Sequence, residues 1–134
     1  MQAGTPIDKR RRALIVDDDG FQRELLKELM AQLGWSDVRT SAGGEQALQA
    51  LAQSGPAAFD VMLIDLHMPG MDGFQFMGKL ESLGYRGAVV IVSGQSSDVM
   101  HSASLVAQLR RFRLLGAVPK PVQKAALGAL LSTL

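Results

Sequence analysis

Short apolar runs recur along the chain at nearly even intervals, at residues 14–16, 61–64, 88–92 and 114–118, with a weaker segment, apolar only at Val38, at 38–41; Gly, Pro or charged residues separate them. Runs of this length predict five short strands. Residues 61–64 and 88–92 are apolar at every position rather than at alternate ones, the pattern of central strands covered on both faces. Between the runs the spacing becomes helical. Asp19 is placed to cap a first helix whose inward row is Phe21, Leu25, Leu29 and Leu33. A second helix is predicted over 45–53, with Ala47, Leu48 and Leu51 inward, and a third from 74 to about 83. A fourth helical segment spans about 97–112, with Val99, Ala103, Val106 and Leu109 on one stripe, and a fifth follows Pro121. Strands alternating with helices imply right-handed βαβ units. The expected fold is α/β: a doubly wound, five-stranded parallel sheet with helices on both faces.

Composition narrows the picture. The chain has 134 residues and 47% hydrophobic against 20% charged residues, enough for one domain and incompatible with intrinsic disorder. Fourteen basic and thirteen acidic residues give a formal charge of +1, so nucleic acid is not expected as a direct partner. There is no cysteine, and the two histidines lie far apart, which excludes disulfides and argues against zinc. The longest apolar run, 88–92, falls far short of the ~20 residues of a membrane span. A cytoplasmic location without membrane contact is the expectation. Lys9, Arg10, Arg11 and Arg12 precede the first strand; residues 1–11 read as a solvated arm, with a nucleic-acid arm as the sharper alternative.

The polar residues concentrate where such a fold binds ligands. In an open doubly wound sheet of order 2-1-3-4-5 the crevice lies beyond the carboxyl ends of strands 1 and 3. Strand 1 ends in Asp17, Asp18 and Asp19, strand 3 in Asp65, strand 4 in Ser93 and strand 5 in Lys120. Asp19 is accounted for as a helix cap. Three carboxylates aimed into one crevice repel unless a cation shares them, so Asp17, Asp18 and Asp65 point to a divalent ion, and hard oxygen ligands select Mg²⁺ or a similar one. Such an ion keeps positions for phosphate oxygens. Lys120 adds a point charge for a phosphoryl group and Ser93 a hydroxyl donor.

The segments LIVDDDG at 14–20, VMLIDLHMPGMDG at 61–73, VIVSG at 90–94 and PKPV at 119–122 resemble the receiver domain of two-component response regulators, as does TSAGGEQAL at 40–48. The resemblance covers residues 12–134 and implies the flavodoxin-like fold. It implies that Asp65 takes a phosphoryl group from a sensor histidine kinase or phosphotransfer protein, forming an aspartyl phosphate. It further implies that Asp17 and Asp18 position Mg²⁺, with Asp65 and the backbone carbonyl of His67 completing the protein ligands. Ser93 matches the switch hydroxyl, Gly94 the small residue after it, and Lys120 the lysine of a cis Lys–Pro motif. Beyond its own phosphorylation and dephosphorylation the domain is not expected to be an enzyme.

Three features depart from the family's pattern. Ala117 stands where an aromatic switch residue is expected, His67 where Met or Asn is common, and the 93–120 stretch is a few residues longer than usual. That length, with QLRRFRLLGAVPKP, resembles receivers fused to EAL-type phosphodiesterases of cyclic di-GMP. Output is therefore expected through the fourth helical segment, strand 5 and the fifth helix, towards an output domain or effector. Leu127, Leu130, Leu131 and Leu134 suggest an apolar flank suited to a homodimer, and the uncapped end at Leu134 suggests a polypeptide that continues. Two rival functions remain open. A haloacid-dehalogenase-like phosphatase would use Asp17 as nucleophile, but needs an acidic pair after its lysine, and no Asp or Glu follows Asp98. A phosphorylation-independent pseudo-receiver would keep the fold as a binding module.

Overall fold

Residues of β-branched and large aliphatic type fill the middle of three of the strands, and in a sheet their side chains alternate between its two faces. The computed structural model describes residues 11–94, 101, 102, 106 and 112–134. Its elements are β1 (Arg12–Val16), α1 (Gly20–Gln32), β2 (Asp37–Ser41), α2 (Gly44–Ser54), β3 (Val61–Asp65), α3 (Gly73–Ser82), β4 (Ala88–Ser93), β5 (Arg113–Pro119) and α4 (Lys124–Leu131). The strands form one parallel sheet in the order β2-β1-β3-β4-β5. All residues of β3 and β4 are buried, as their unbroken apolar runs require. Leu14, Val16, Met62, Ile64, Val89 and Ile91 face a core completed by Ala47 and Leu51 of α2 and by Phe76, Met77 and Leu80 of α3. Their neighbours Ala13, Ile15, Val61, Leu63, Val90 and Val92 face a second core with Leu26 and Met30 of α1 and Leu127 and Leu131 of α4. Among the described residues two helices thus cover each face, and the five-stranded doubly wound architecture is the expected one.

Two expectations change. The inward row of α1 is Gln22, Leu26 and Met30, while Phe21 is 77% exposed. Adjacent i, i+4 rows lie about 100° apart on a helix, and the sheet takes the second row; Leu25, Leu29 and Leu33 become its half-buried flank. On α4 the broad apolar flank is not present: Leu127 and Leu131 are buried in the second core, Leu130 is half-buried, and alanines 125, 126 and 129 face outward. The small alanines form the outer surface because the leucines anchor the helix to the sheet. The expectation of a dimer through Leu127 and Leu131 therefore loses its basis. The basic arm up to residue 10 and most of the segment expected as a fourth helix lie outside the described residues; Val106 packs against the first core.

β5 joins β4 with a register shift: Val89 pairs with Leu114 and Val90 with Gly116, so Leu115 has no partner in the ladder. Gly116 has φ +153°, and a Cβ there would lie 2.7 Å from Cδ2 of Leu130. Glycine is thus favoured by the φ at the bulge, and a Cβ there would also push the Leu130 side chain aside. Among the described residues no helix is long and apolar enough to cross a membrane.

Candidate functional site

The carboxyl ends of the strands bring the expected residues together. Asp17 follows β1 directly; its backbone N–H continues the ladder by donating to the Ser41 carbonyl at 3.2 Å. The chain then turns so that Asp19 N–H donates to Oδ1 of Asp17 at 2.9 Å. Asp19 Oδ1 accepts from Phe21 N–H at 3.0 Å and Gln22 N–H at 3.4 Å, capping α1. One acid of the triplet is spent on the helix, leaving Asp17 and Asp18 for the crevice.

Asp65 is the last residue of β3. Its Oδ1 accepts from the His67 N–H at 3.2 Å. The loop after it folds tightly under α3, whose first residue, Gly73, donates to the Leu66 carbonyl at 3.0 Å. A Cβ on Gly73 would lie 2.9 Å from Leu66 Cα and 3.1 Å from the Asp65 carbonyl oxygen. This contact explains the glycine that closes HMPGMDG: α3 can sit against the acid-bearing loop only without a side chain there.

Lys120 extends from the end of β5, and its N–H donates to the Ser93 carbonyl at 3.0 Å. The preceding strand residue, Pro119, pairs with Ser93, and the Lys120–Pro121 bond is cis as expected. Nζ of Lys120 lies 3.0 Å from Asp17 Oδ2 and 3.4 Å from Asp65 Oδ2. One ammonium thus bridges two buried carboxylates. Ser93 closes β4 and is fully buried, whereas Asp18 and His67 are exposed at the rim.

Burial raises the Asp65 pKa above the usual carboxylate value, and the Asp17 charge raises it further; the His67 N–H and Lys120 pull the other way without prevailing. Burial disfavours the Lys120 ammonium, but Asp17 and Asp65 outweigh that cost, and the Lys120 pKa is raised. The site therefore holds more negative charge than Lys120 alone neutralises. Carboxylate oxygens of Asp17, Asp18 and Asp65 all lie within 4.8 Å of one another. A small hard cation fits that donor set: the oxygens are close enough to share it, and it would relieve the repulsion that raises the Asp65 pKa.

One contact at this site is not evident from the sequence motifs. Arg23, half-buried on α1, donates from Nη1 to the Asp17 carbonyl oxygen at 2.8 Å. Its only sequence signal is a basic residue six positions after the first aspartate, which could as well serve a solvated helix face.

A family model described as the response regulator receiver domain matches residues 13–132. The chain is 35% identical over 95 residues to protein-glutamate methylesterase/protein-glutamine glutaminase 5 of Myxococcus xanthus, a match covering 69% of this chain and 26% of that protein. It is 30% identical over 91 residues to the chemotaxis protein CheY of Bacillus subtilis, covering 66% of this chain and 73% of the other. Among solved structures, chemotaxis protein CheY4 of Vibrio cholerae superposes with a TM-score of 0.74 at 24% identity, over 91% of this chain and 96% of that one. The chain thus spans about a quarter of the methylesterase and most of the two CheY proteins.

Proposed function

The chain belongs to the response regulator receiver family, and from that premise we propose that Asp65 is the phosphoryl acceptor of this domain, with Lys120, Ser93 and the Asp17–Asp18 pair as its assisting groups. Receiver domains act in phosphorylation-dependent signalling, and the single observation that carries the assignment is the Lys120 ammonium held between the carboxylates of Asp17 and Asp65.

A carboxylate oxygen of Asp65 attacks the phosphorus of the donor. A new P–O bond forms as the bond from phosphorus to the donor's nitrogen or acyl oxygen breaks, and the leaving group departs with that electron pair. Lys120 lies within ion-pair distance of the attacking carboxylate, so its charge can follow the transferred phosphoryl oxygens, while the Ser93 hydroxyl is the candidate donor to a second oxygen. Asp17, Asp18 and Asp65, with the His67 carbonyl, would hold Mg²⁺. When bound, that ion neutralises charge on the phosphoryl oxygens. The buried setting of Asp65 limits water near the acyl phosphate.

The donors that fit this reading are a sensor histidine kinase or a phosphotransfer protein, and signal output leaves through the helical segment expected before β5, β5 itself and α4 towards an effector or output domain. The Asp17-nucleophile alternative fits poorly, because it needs a further acidic pair after its lysine and no Asp or Glu follows Asp98. Incubation with Mg²⁺ and a small acyl-phosphate donor, followed by intact-mass measurement, tests the assignment. Wild type is expected to gain one phosphoryl mass and Asp65→Asn none; a gain in the variant, or none in wild type, would overturn it, the latter in favour of a pseudo-receiver.

A further inference from the structure

Arg11 and Arg12, at the start of β1, are not used by the phosphorylation site, because they lie at the other end of the strands. Arg12 opens β1 and Arg113 opens β5. The strand starts between them are knitted by backbone hydrogen bonds from Asp60 N–H to the Arg12 carbonyl, Ala88 N–H to the Asp60 carbonyl and Arg113 N–H to the Gly87 carbonyl. Beneath this edge lies a cavity of about 930 Å³, to which Arg11, Arg12, Arg86 and Arg113 all contribute, with Trp35 and Asp60. Five strand residues separate the two ends, about 16 Å.

Four arginines line the cavity, and Asp60 is the one acidic side chain among its lining residues. Asp60 is already engaged: its Oδ2 accepts from the Arg12 backbone N–H at 2.7 Å and lies 3.9 Å from Arg12 Nε. The Arg12 guanidinium also donates to the Ala57 carbonyl at 3.2 Å, and Arg113 donates to the Thr133 carbonyl. Arg11 sits over Trp35, 5.7 Å from the ring centroid. Each guanidinium offers five N–H donors, so these contacts hold Arg11, Arg12 and Arg113 and leave most of their donors unspent. Arg86 is exposed and has no ion-pair partner among the described residues. A row of positioned guanidinium forks recognises phosphate oxygens bidentately, and the volume is that of a small-molecule site.

We propose that this cavity is a second site, separate from the aspartyl centre, that binds a small phosphate-rich anion, either a nucleoside polyphosphate or an inorganic polyphosphate. Trp35 is the chain's single tryptophan and lies against Arg11, so its emission reports on the site directly. The full chain is titrated with sodium tripolyphosphate, in EDTA and at constant ionic strength. A saturable change in emission is expected, with its midpoint raised about tenfold or more in Arg86→Ala, the loss of a charge-assisted contact. Arg86→Ala should still accept a phosphoryl group at Asp65, so a failure here and a failure of the phosphorylation assignment are separable. Calorimetry with ATP identifies the source: tighter binding than tripolyphosphate assigns a nucleotide, equal or weaker binding an inorganic polyphosphate. No saturation in the millimolar range overturns the proposal, as does a midpoint that moves with Lys120→Ala but not with Arg86→Ala. Tight binding of a short single-stranded oligonucleotide without binding of tripolyphosphate overturns it in favour of a nucleic-acid surface.

Discussion

Asp65 is a residue whose chemistry conflicts with its stability. Its raised pKa means that the folded chain holds the proton more tightly than the unfolded one, so folding stability falls as pH rises from the ordinary carboxylate range through the folded value. Burial beside Asp17 makes the ionised side chain a burden on the metal-free fold. Asp65→Asn is therefore expected to raise the melting temperature by about 2–4 °C at pH 7 without Mg²⁺, and the gain should vanish at a pH below 3.8, where both side chains are neutral. Melts at the two pH values check the sign. Arg23 acts at one remove, through the Asp17 carbonyl that it holds. Loss of a group that orients a ligand-bearing loop costs about tenfold or more in metal affinity. Arg23→Ala should thus slow Mg²⁺-dependent phosphorylation by about that factor, with Arg23→Gln, which keeps a donor, retaining more; mass-resolved time courses compare the two. Asp17, Asp18, Asp65, Ser93 and Lys120 were legible in the sequence because each ends a strand, and strand ends share one edge of a parallel sheet. Arg23 was not, since a donor to a backbone carbonyl leaves no mark on side-chain patterning.

The elements show where period alone is insufficient. Both strand runs with unbroken hydrophobicity became fully buried strands, because burial on two faces leaves no polar position to misread. The α1 row was displaced by one residue, because the apolar positions of that helix span more than one row and only contact with the sheet selects between them. The α4 leucines were misjudged for the opposite reason: alanine is apolar enough to widen the stripe on paper and small enough to lie outside. The β5 bulge left a trace in Gly116, whose role is clear only once Leu130 is seen against it. Gly116→Ala forces that leucine or the strand to shift and should destabilise the fold by about 1–3 kcal/mol, measurable by urea denaturation. The Tyr85 hydroxyl, buried and donating to the Ala88 carbonyl at 2.7 Å, braces the start of β4. Tyr85→Phe is expected to cost about 1 kcal/mol in the same assay.

Over the whole molecule, order β2-β1-β3-β4-β5 puts β1 and β3 side by side at the centre, so Asp17 and Asp65 meet although 48 positions separate them in sequence. The sheet order could be anticipated from the family resemblance, while the cavity at its far edge could not, because Arg86 and Arg113 join Arg11 and Arg12 only through strand register. Mg²⁺ binding should stabilise the native state by mass action, raising the melting temperature of wild type with ion concentration and that of Asp18→Ala far less; thermal melts across a magnesium series measure both. The same parallel strands carry carboxylates at one end and guanidinium groups at the other. Although the formal charge of the chain is only +1, its described residues thus place charge of opposite sign at the two ends of the strands. An encounter with a partner begins with rotation in that partner's field, so a positively charged surface meets the aspartyl end first. Association rates should fall with added salt although the monopole is almost nil.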